Sequence, residues 1–267
     1  MDDFTMKISM LASGSSGNVT YIETPKKKIL VDAGLSGKKI EQLLQRINRN
    51  IADVDCIFVT HEHKDHIHGV GVLARKYGMD IYANEKTWTE LDRLVGKIDV
   101  SQKHIFKMGT RMTLGDVDII SYGVSHDAIA PQFYTFEKDH KNFVMLTDTG
   151  YVSQYLRDAL TNATAYLMES NHDVDLLRAG SYPWSTKQRI LSDKGHLSNE
   201  DGALAVSDML GYHTKQIYLG HLSKENNIKT LANETFSHVL KEKGHAVNHD
   251  FVIRDTDPDE PTTLFTL

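Results

Sequence analysis

The sequence predicts a single α/β domain over residues 1–267. Short apolar runs bounded by turn residues read as buried strands. Stretches with apolar residues at helical spacing lie between them. At 267 residues and 40% hydrophobic, the chain can bury one large core.

The elements follow in order along the chain. Strands near residues 6–12 and 19–23 flank a Gly-Ser loop, and Ile29-Leu30-Val31 forms a strand ending at Asp32. Ser36 can cap a helix through about Asn48, where Ile40, Leu43, Leu44 and Ile47 share a face. Cys56-Ile57-Phe58-Val59 is a further strand. A helix begins near Gly69, and Trp88, Leu91 and Val95 mark another over about 85–95. Strands run from about 104 to 146. Ser198, with Asp201 three residues later, opens a helix to about Leu210. A last helix over about 228–243 precedes a strand near Phe251, and the acidic tail from Asp255 is expected to be loosely ordered. The sequence shows no internal repeat, low-complexity tract or long linker.

Thr60-His61-Glu62-His63-Lys64-Asp65-His66 carries the chemistry. A strand emerging into a loop sends alternate side chains to one side, so His61 and His63 can reach one ion and Asp65 and His66 a second. Imidazole and carboxylate donors suit zinc, manganese or iron. A solvated histidine-rich turn has no reason to keep chelating spacing. Other strands also deliver ligand-type side chains at their C-terminal ends. Asp32 follows Val31, His126 follows Val124-Ser125, Asp148 follows Leu146-Thr147, and His221 follows Leu219-Gly220. One such residue is usually a cap or a surface group; the set is poorly explained that way.

With these motifs the chain resembles the metallo-β-lactamase superfamily, whose fold is a four-layer αββα sandwich with metals at one edge. Within it, the chain resembles the bacterial WalJ (YycJ) group of nucleases. Gly14-Ser15-Ser16-Gly17-Asn18, Glu169-Ser170-Asn171-His172 and Gly195-His196-Leu197-Ser198-Asn199 point to the group, and the metal motifs to the superfamily. Pro131-Gln132-Phe133-Tyr134 departs from the pattern, with Gln and Phe where Gly is expected. The fold implies two similar halves, a likeness not visible in the sequence.

The resemblance implies a site with two divalent metal ions, zinc, manganese or iron. His61, His63 and His126 would hold one ion, Asp65, His66 and His221 the other, and Asp148 would bridge them. Asp32 would fix the loop that carries the histidines. A metal-bridging hydroxide would attack phosphorus, with Asp65 orienting it and accepting its proton. His196 is the candidate acid for the leaving oxygen, and Glu169 would orient it. His196 could instead be a surface histidine beside the Ser198 cap.

Candidate substrate contacts follow. Ser15, Ser16 and Asn18 lie in a Gly-rich loop that can cradle phosphate, although a tight turn explains them equally. The loop lacks the lysine of a P-loop. Asn199 sits at a helix start that could take a phosphate, and His172 could touch one. Arg178, Lys187 and Arg189 mix with Tyr182 and Trp184, as a nucleic-acid surface or as an ordinary packed loop.

Composition fits a cytoplasmic enzyme. No apolar run approaches the roughly 18 residues of a membrane span, and Met1-Asp2-Asp3-Phe4 does not open a signal peptide. The single Cys56 lies inside a strand, where core packing is its natural role. A net charge of −6 argues mildly against nucleic acid, though bound cations would offset part of it. The reading is a metal-dependent phosphodiesterase, specifically a 5′-to-3′ exonuclease on double-stranded DNA. The alternative is a small-molecule hydrolase of the same fold acting on a thioester, lactone, β-lactam or cyclic phosphodiester. A non-hydrolytic protein fits less well: no ligand is missing, and redox members usually carry Glu where this chain has His63.

Overall fold

The computed structural model describes residues 5–267, so the Met1–Phe4 start lies outside the described residues. The chain divides into two compact units. The first comprises residues up to Gly123, Ala128–His140 and Thr256–Leu267; the second comprises Val124–Asp127 and Lys141–Asp255.

The first unit contains β1 (Lys7–Ala12), β2 (Val19–Glu23), β3 (Lys28–Val31), α1 (Gly37–Arg46), β4 (Cys56–Phe58), α2 (Lys64–Ile67), α3 (Val70–Tyr77), β5 (Asp80–Ala83), α4 (Glu85–Leu94) and β6 (Lys103–Ile105). β7 (Arg111–Leu114), β8 (Val117–Gly123) and β9 (Gln132–Lys138) form an antiparallel run. β1, β2 and β3 pair antiparallel, and β3 through β6 pair parallel. Ser36 caps α1 by accepting from the Lys39 amide, and Ile40, Leu43 and Leu44 form its buried face. Those side chains join Leu30, Ile57, Ile81 and Leu91 in one hydrophobic cluster. Cys56 is buried within β4.

The second unit is built on four parallel strands: β10 (Lys141–Leu146), β11 (Ala165–Glu169), β12 (Gln216–Gly220) and β13 (Val252–Asp255). Its helices are α5 (Gln154–Ala159), α6 (Val174–Ala179), α7 (Trp184–Ile190), α8 (Asn199–Ser207) and α9 (Lys229–Glu242). α8 packs against α9 and β11. A Cβ at Gly202 would lie 2.3 Å from the Glu169 carbonyl oxygen, so the missing side chain lets α8 sit against the end of β11. α5, α6 and α7 were not expected from the sequence, because one or two turns are too short to show helical periodicity.

The tail corrects an expectation. β14 (Phe265–Thr266) pairs antiparallel with β1. The Thr262 amide donates to the Met10 carbonyl, the Met10 amide to the Thr262 hydroxyl, and the Leu267 amide to the Met6 carbonyl. Residues 262–267 are therefore attached to the edge of the first sheet, whose open side supplies their backbone partners. Acidic composition concealed this, since strand pairing uses the backbone.

Removing residues 261–267 is expected to lower the thermal midpoint by several degrees, followed by circular dichroism. Each lost hydrogen bond is worth about 1 kcal/mol, and 1 kcal/mol moves the midpoint by about 2–4 °C at about this chain size. An unchanged midpoint would show the tail to be an energetically idle attachment.

Candidate metal centre

In the first unit the site grows from the C-terminal ends of adjacent parallel strands. Val31 of β3 pairs with Phe58 of β4, so the chain leaves both strands side by side, at Asp32 and at Thr60-His61. Asp32 is buried with a left-handed backbone, φ 60°. Its Oδ1 accepts the Thr60 amide at 2.8 Å. Its Oδ2 accepts the Thr60 hydroxyl at 2.8 Å and His66 Nδ1 at 2.7 Å. Burial pushes this carboxyl above the usual range, an effect that His66 and Thr60 only partly offset.

These bonds assign the tautomers. The Thr60 hydroxyl has a single proton, which goes to Asp32, so it must accept from His61 Nδ1 at 2.9 Å. With Nδ1 protonated on both His61 and His66, Nε2 carries the lone pair that a metal needs. The two rings lie 4.1 Å apart between centroids, and the His63 ring is 4.6 Å from that of His61. His63 precedes α2 at its N-cap, and Asp65 and His66 lie within that helix. Asp65 Oδ2 is 3.4 Å from His66 Nε2.

The Gly14–Asn18 loop serves this arrangement. Asn18 Oδ1 accepts the Gly14 amide, and its Nδ2 donates to the Gly14 carbonyl and to Asp65 Oδ2 at 3.3 Å. The Asn18 amide donates to the Asp65 carbonyl. A Cβ at Gly34 would lie 1.7 Å from that same carbonyl oxygen, so glycine is required where the Asp32-Ala33-Gly34 turn passes beneath Asp65. Asn18 thus holds a site side chain, whereas Ser15 and Ser16 are exposed. The unexpected Gln132 is buried as well. Its amide group donates to the Tyr134 hydroxyl, which donates to the Val59 carbonyl, so it braces β9 against the strand that leads to the histidines.

The second unit repeats the design. β10, β11 and β12 are parallel and in register, so Asp148, Glu169 and His221 emerge at neighbouring C-terminal ends. Asp148 and His221 both adopt left-handed backbone, φ 55° and 57°. Glu169 has no exposed surface. Its Oε1 accepts His196 Nδ1 at 2.8 Å and His221 Nδ1 at 2.9 Å, and its Oε2 accepts the Thr149 and Leu197 amides. Burial alone would raise the Glu169 carboxyl, but the two imidazoles outweigh it and hold the pKa at about 2. His126 Nδ1 donates to the Gly195 carbonyl at 3.1 Å. Nε2 therefore carries the lone pair on both His126 and His221.

Ligand-type atoms of Asp148, Glu169, His196 and His221 lie within 4.8 Å of one another. Glu169 has both oxygens filled by donors, so it orients its neighbours and does not itself coordinate. Asp148 Oδ1 is 3.4 Å from His221 Nδ1 and 3.9 Å from His196 Nδ1. The Nε2-presenting imidazoles of His61, His66, His126 and His221, each held at Nδ1, fit a divalent metal together with the nearby carboxylates.

Two proposed substrate contacts are corrected, Asn199 and Lys187. Asn199 is buried, with Oδ1 accepting from Ser170 Oγ and Asn227 Nδ2 and its own Nδ2 donating to Asn227 Oδ1. A side chain so committed has nothing to offer a phosphate. Lys187 is likewise buried, its ammonium donating to the Arg178 and Gly180 carbonyls at 2.7 Å each. The segment expected to be a basic loop is in part α7, and this lysine closes the turn before it. His172 is buried, and desolvation lowers its pKa to about 4, so it would meet a phosphate as a neutral imidazole. Arg178 is exposed, and Arg189 pairs with Asp127, the residue after His126, at 2.7 Å. Thr60 was missed. Its signal lies in its position between the strand and the first histidine, but its partner Asp32 is remote in sequence.

The beta-lactamase superfamily domain matches residues 27–222. Exodeoxyribonuclease WalJ of Streptococcus pneumoniae is 63% identical over 266 residues, covering 99% of each chain. Exodeoxyribonuclease YycJ of Bacillus anthracis is 53% identical, covering 97% of this chain and 98% of its own. The crystal structure of the metallo-beta-lactamase fold protein YhfI from Bacillus subtilis superposes with a TM-score of 0.73 at 14% identity, over 97% of this chain and 99% of that one. At that identity the likeness speaks to the fold alone, the α/β sandwich expected from the motifs.

Thr60→Val keeps the shape of the side chain and removes the hydroxyl that fixes His61. Metal affinity is expected to fall about 10- to 100-fold, the usual loss when a ligand's orienting partner is removed. Thr60→Ser should retain affinity. Titration against a chromophoric chelator measures both, and equal affinity in Thr60→Val and wild type would discard the relay.

Proposed function

The chain belongs to the beta-lactamase superfamily and to its WalJ/YycJ group, and from that premise we propose that it is a metal-dependent exodeoxyribonuclease acting from 5′ ends of duplex DNA. The observation that carries this reading is the extent of the likeness: 63% identity over 99% of both chains. Among the described residues no helix is long and apolar enough to cross a membrane. A DNA substrate would support a cytoplasmic location.

His61, His63 and His126 would hold one divalent ion, and Asp65, His66 and His221 the other, with Asp148 shared. When bound, such ions supply a nucleophile at neutral pH and draw negative charge off phosphate oxygens. The remaining steps belong to the chain. Asp65, steadied by Asn18 at 3.3 Å, orients the attacking water and accepts its proton. The new bond forms between that oxygen and phosphorus, and the bond from phosphorus to the 3′-oxygen breaks. His196 delivers a proton to the departing 3′-oxygen from Nε2, while its Nδ1–H stays hydrogen-bonded to the Glu169 carboxylate. A Glu169 carboxyl held at about 2 remains ionised throughout and stabilises the imidazolium before transfer.

The Glu169–His196 pair also favours phosphodiesters over thioesters or lactones. An alkoxide leaving group needs an acid, whereas acyl transfer to a good leaving group has little use for one. Of the two exposed arginines, Arg189 is paired with Asp127, which leaves Arg178 as the candidate cation for a phosphate.

With duplex DNA labelled at either end, Asp65→Ala is expected to abolish nucleotide release, and so is chelation of the metals. His196→Ala should keep its metal content and lower kcat by about 10²- to 10⁴-fold, the range for a lost general acid. Early release of label from the 5′ end alone supports the polarity. Wild-type turnover in Asp65→Ala would sink the mechanism, and a thioester hydrolysed in place of DNA would move the chain to the alternative substrate class.

A further inference from the structure

Tyr151 follows Asp148 by three residues, and it stands where the loops of the second unit's site are tied together. The Gly150 amide donates to the Ser125 carbonyl at 2.9 Å, which joins this turn to the segment carrying His126. The Thr149 amide donates to Glu169 Oε2 at 2.9 Å. A Cβ at Gly150 would lie 2.4 Å from the Ser192 carbonyl oxygen and 2.5 Å from the Asp193 carbonyl carbon, so the turn abuts the segment that leads to His196. The backbone of Tyr151 is held as well. Thr149 Oγ1 donates to its carbonyl at 2.8 Å, and the next side chain, Val152, is buried.

On this fixed support the Tyr151 ring is 51% exposed. A mobile surface aromatic would call for no explanation. A ring three residues after Asp148 whose backbone is already held has a lower entropic cost of stacking than one on a mobile loop. The terminal nucleotide brings one flat group to that rim, its base. Any of the four bases offers a π-face, which suits an enzyme that must remove nucleotides in succession whatever the sequence.

Resting on the exonuclease reading above, we infer that Tyr151 is the platform on which the base of the terminal nucleotide stacks, a positioning residue that sets the scissile phosphate against Asp148 and His196. The stacking energy acts on binding of the reactive end and leaves the proton transfers untouched. The expected signature is a raised KM for DNA with kcat little changed. The interaction is insensitive to base identity but depends on a base being present.

The test crosses the protein variant with the substrate. The metal-loaded full chain, wild type and Tyr151→Ala, is given duplex DNA whose 5′-terminal nucleotide is either normal or abasic. Wild type is expected to lose on the order of 10-fold in kcat/KM on the abasic end, within the range for one base–aromatic stack. Tyr151→Ala should show that loss on normal DNA and no further loss on abasic DNA, while Tyr151→Phe restores the wild-type preference. Metal content should equal wild type in both variants, which separates stacking from damage to the site. Tyr212→Ala, another exposed ring placed before the N-terminal end of β12 and so away from His221, should behave as wild type. A Tyr151→Ala enzyme that still discriminates normal from abasic ends as wild type does overturns the inference and leaves the exonuclease reading intact. A wild-type enzyme that releases no nucleotide from either substrate overturns both.

Discussion

A carboxylate can be buried only where hydrogen-bond donors replace its water, and both halves of the site are organised around that requirement. Asp32 and Glu169 each lie at the C-terminal end of a strand and each collect donors from two or more other segments. The donors include the imidazoles proposed as metal ligands, His66 for Asp32 and His221 for Glu169. Satisfying the buried charge and aiming the histidines are therefore the same set of bonds. The balance differs between the two. One imidazole and one hydroxyl do not overcome desolvation at Asp32, whereas two imidazoles do at Glu169.

The strand ends impose a second constraint. The side chain of a residue that continues an extended strand points to one face of the sheet, not toward the neighbouring strand ends. Asp32, Asp148 and His221 avoid this by adopting left-handed backbone, costly for residues with a Cβ and tolerated where the surroundings enforce it. Gly34 and Gly150 supply the complementary device, close approach without a side chain. Within each unit these close approaches fix the loop that carries the candidate ligands, as a site that must hold cations requires.

The shared oxygen of Glu169 links two roles. His221, a proposed metal ligand, and His196, the proposed acid, donate to the same Oε1. A change in the charge of either imidazole is felt by the other through that atom. Metal holding and leaving-group protonation are thus electrostatically joined, and a substitution at Glu169 affects both at once.

The sequence by itself determined the elements long enough to show a period and the ligands close enough together to show a spacing. The α1 face of Ile40, Leu43 and Leu44 and the His61–His66 cluster are both local patterns. Asp32, Asp148 and His221 were legible because each follows an apolar strand. Only the tertiary structure decided which polar side chains have anything left to give. Asn199 and Lys187 look available in sequence, yet Asn227 and the carbonyls of Arg178 and Gly180 consume their hydrogen bonds. Thr60 looks unremarkable in sequence, yet its hydroxyl connects His61 to Asp32. The acidic tail gave no hint of its strand, because backbone groups of β1 hold it and backbone groups are the same in every sequence. Spacing can be read along a chain; the spending of a donor or an acceptor depends on partners that only folding brings near.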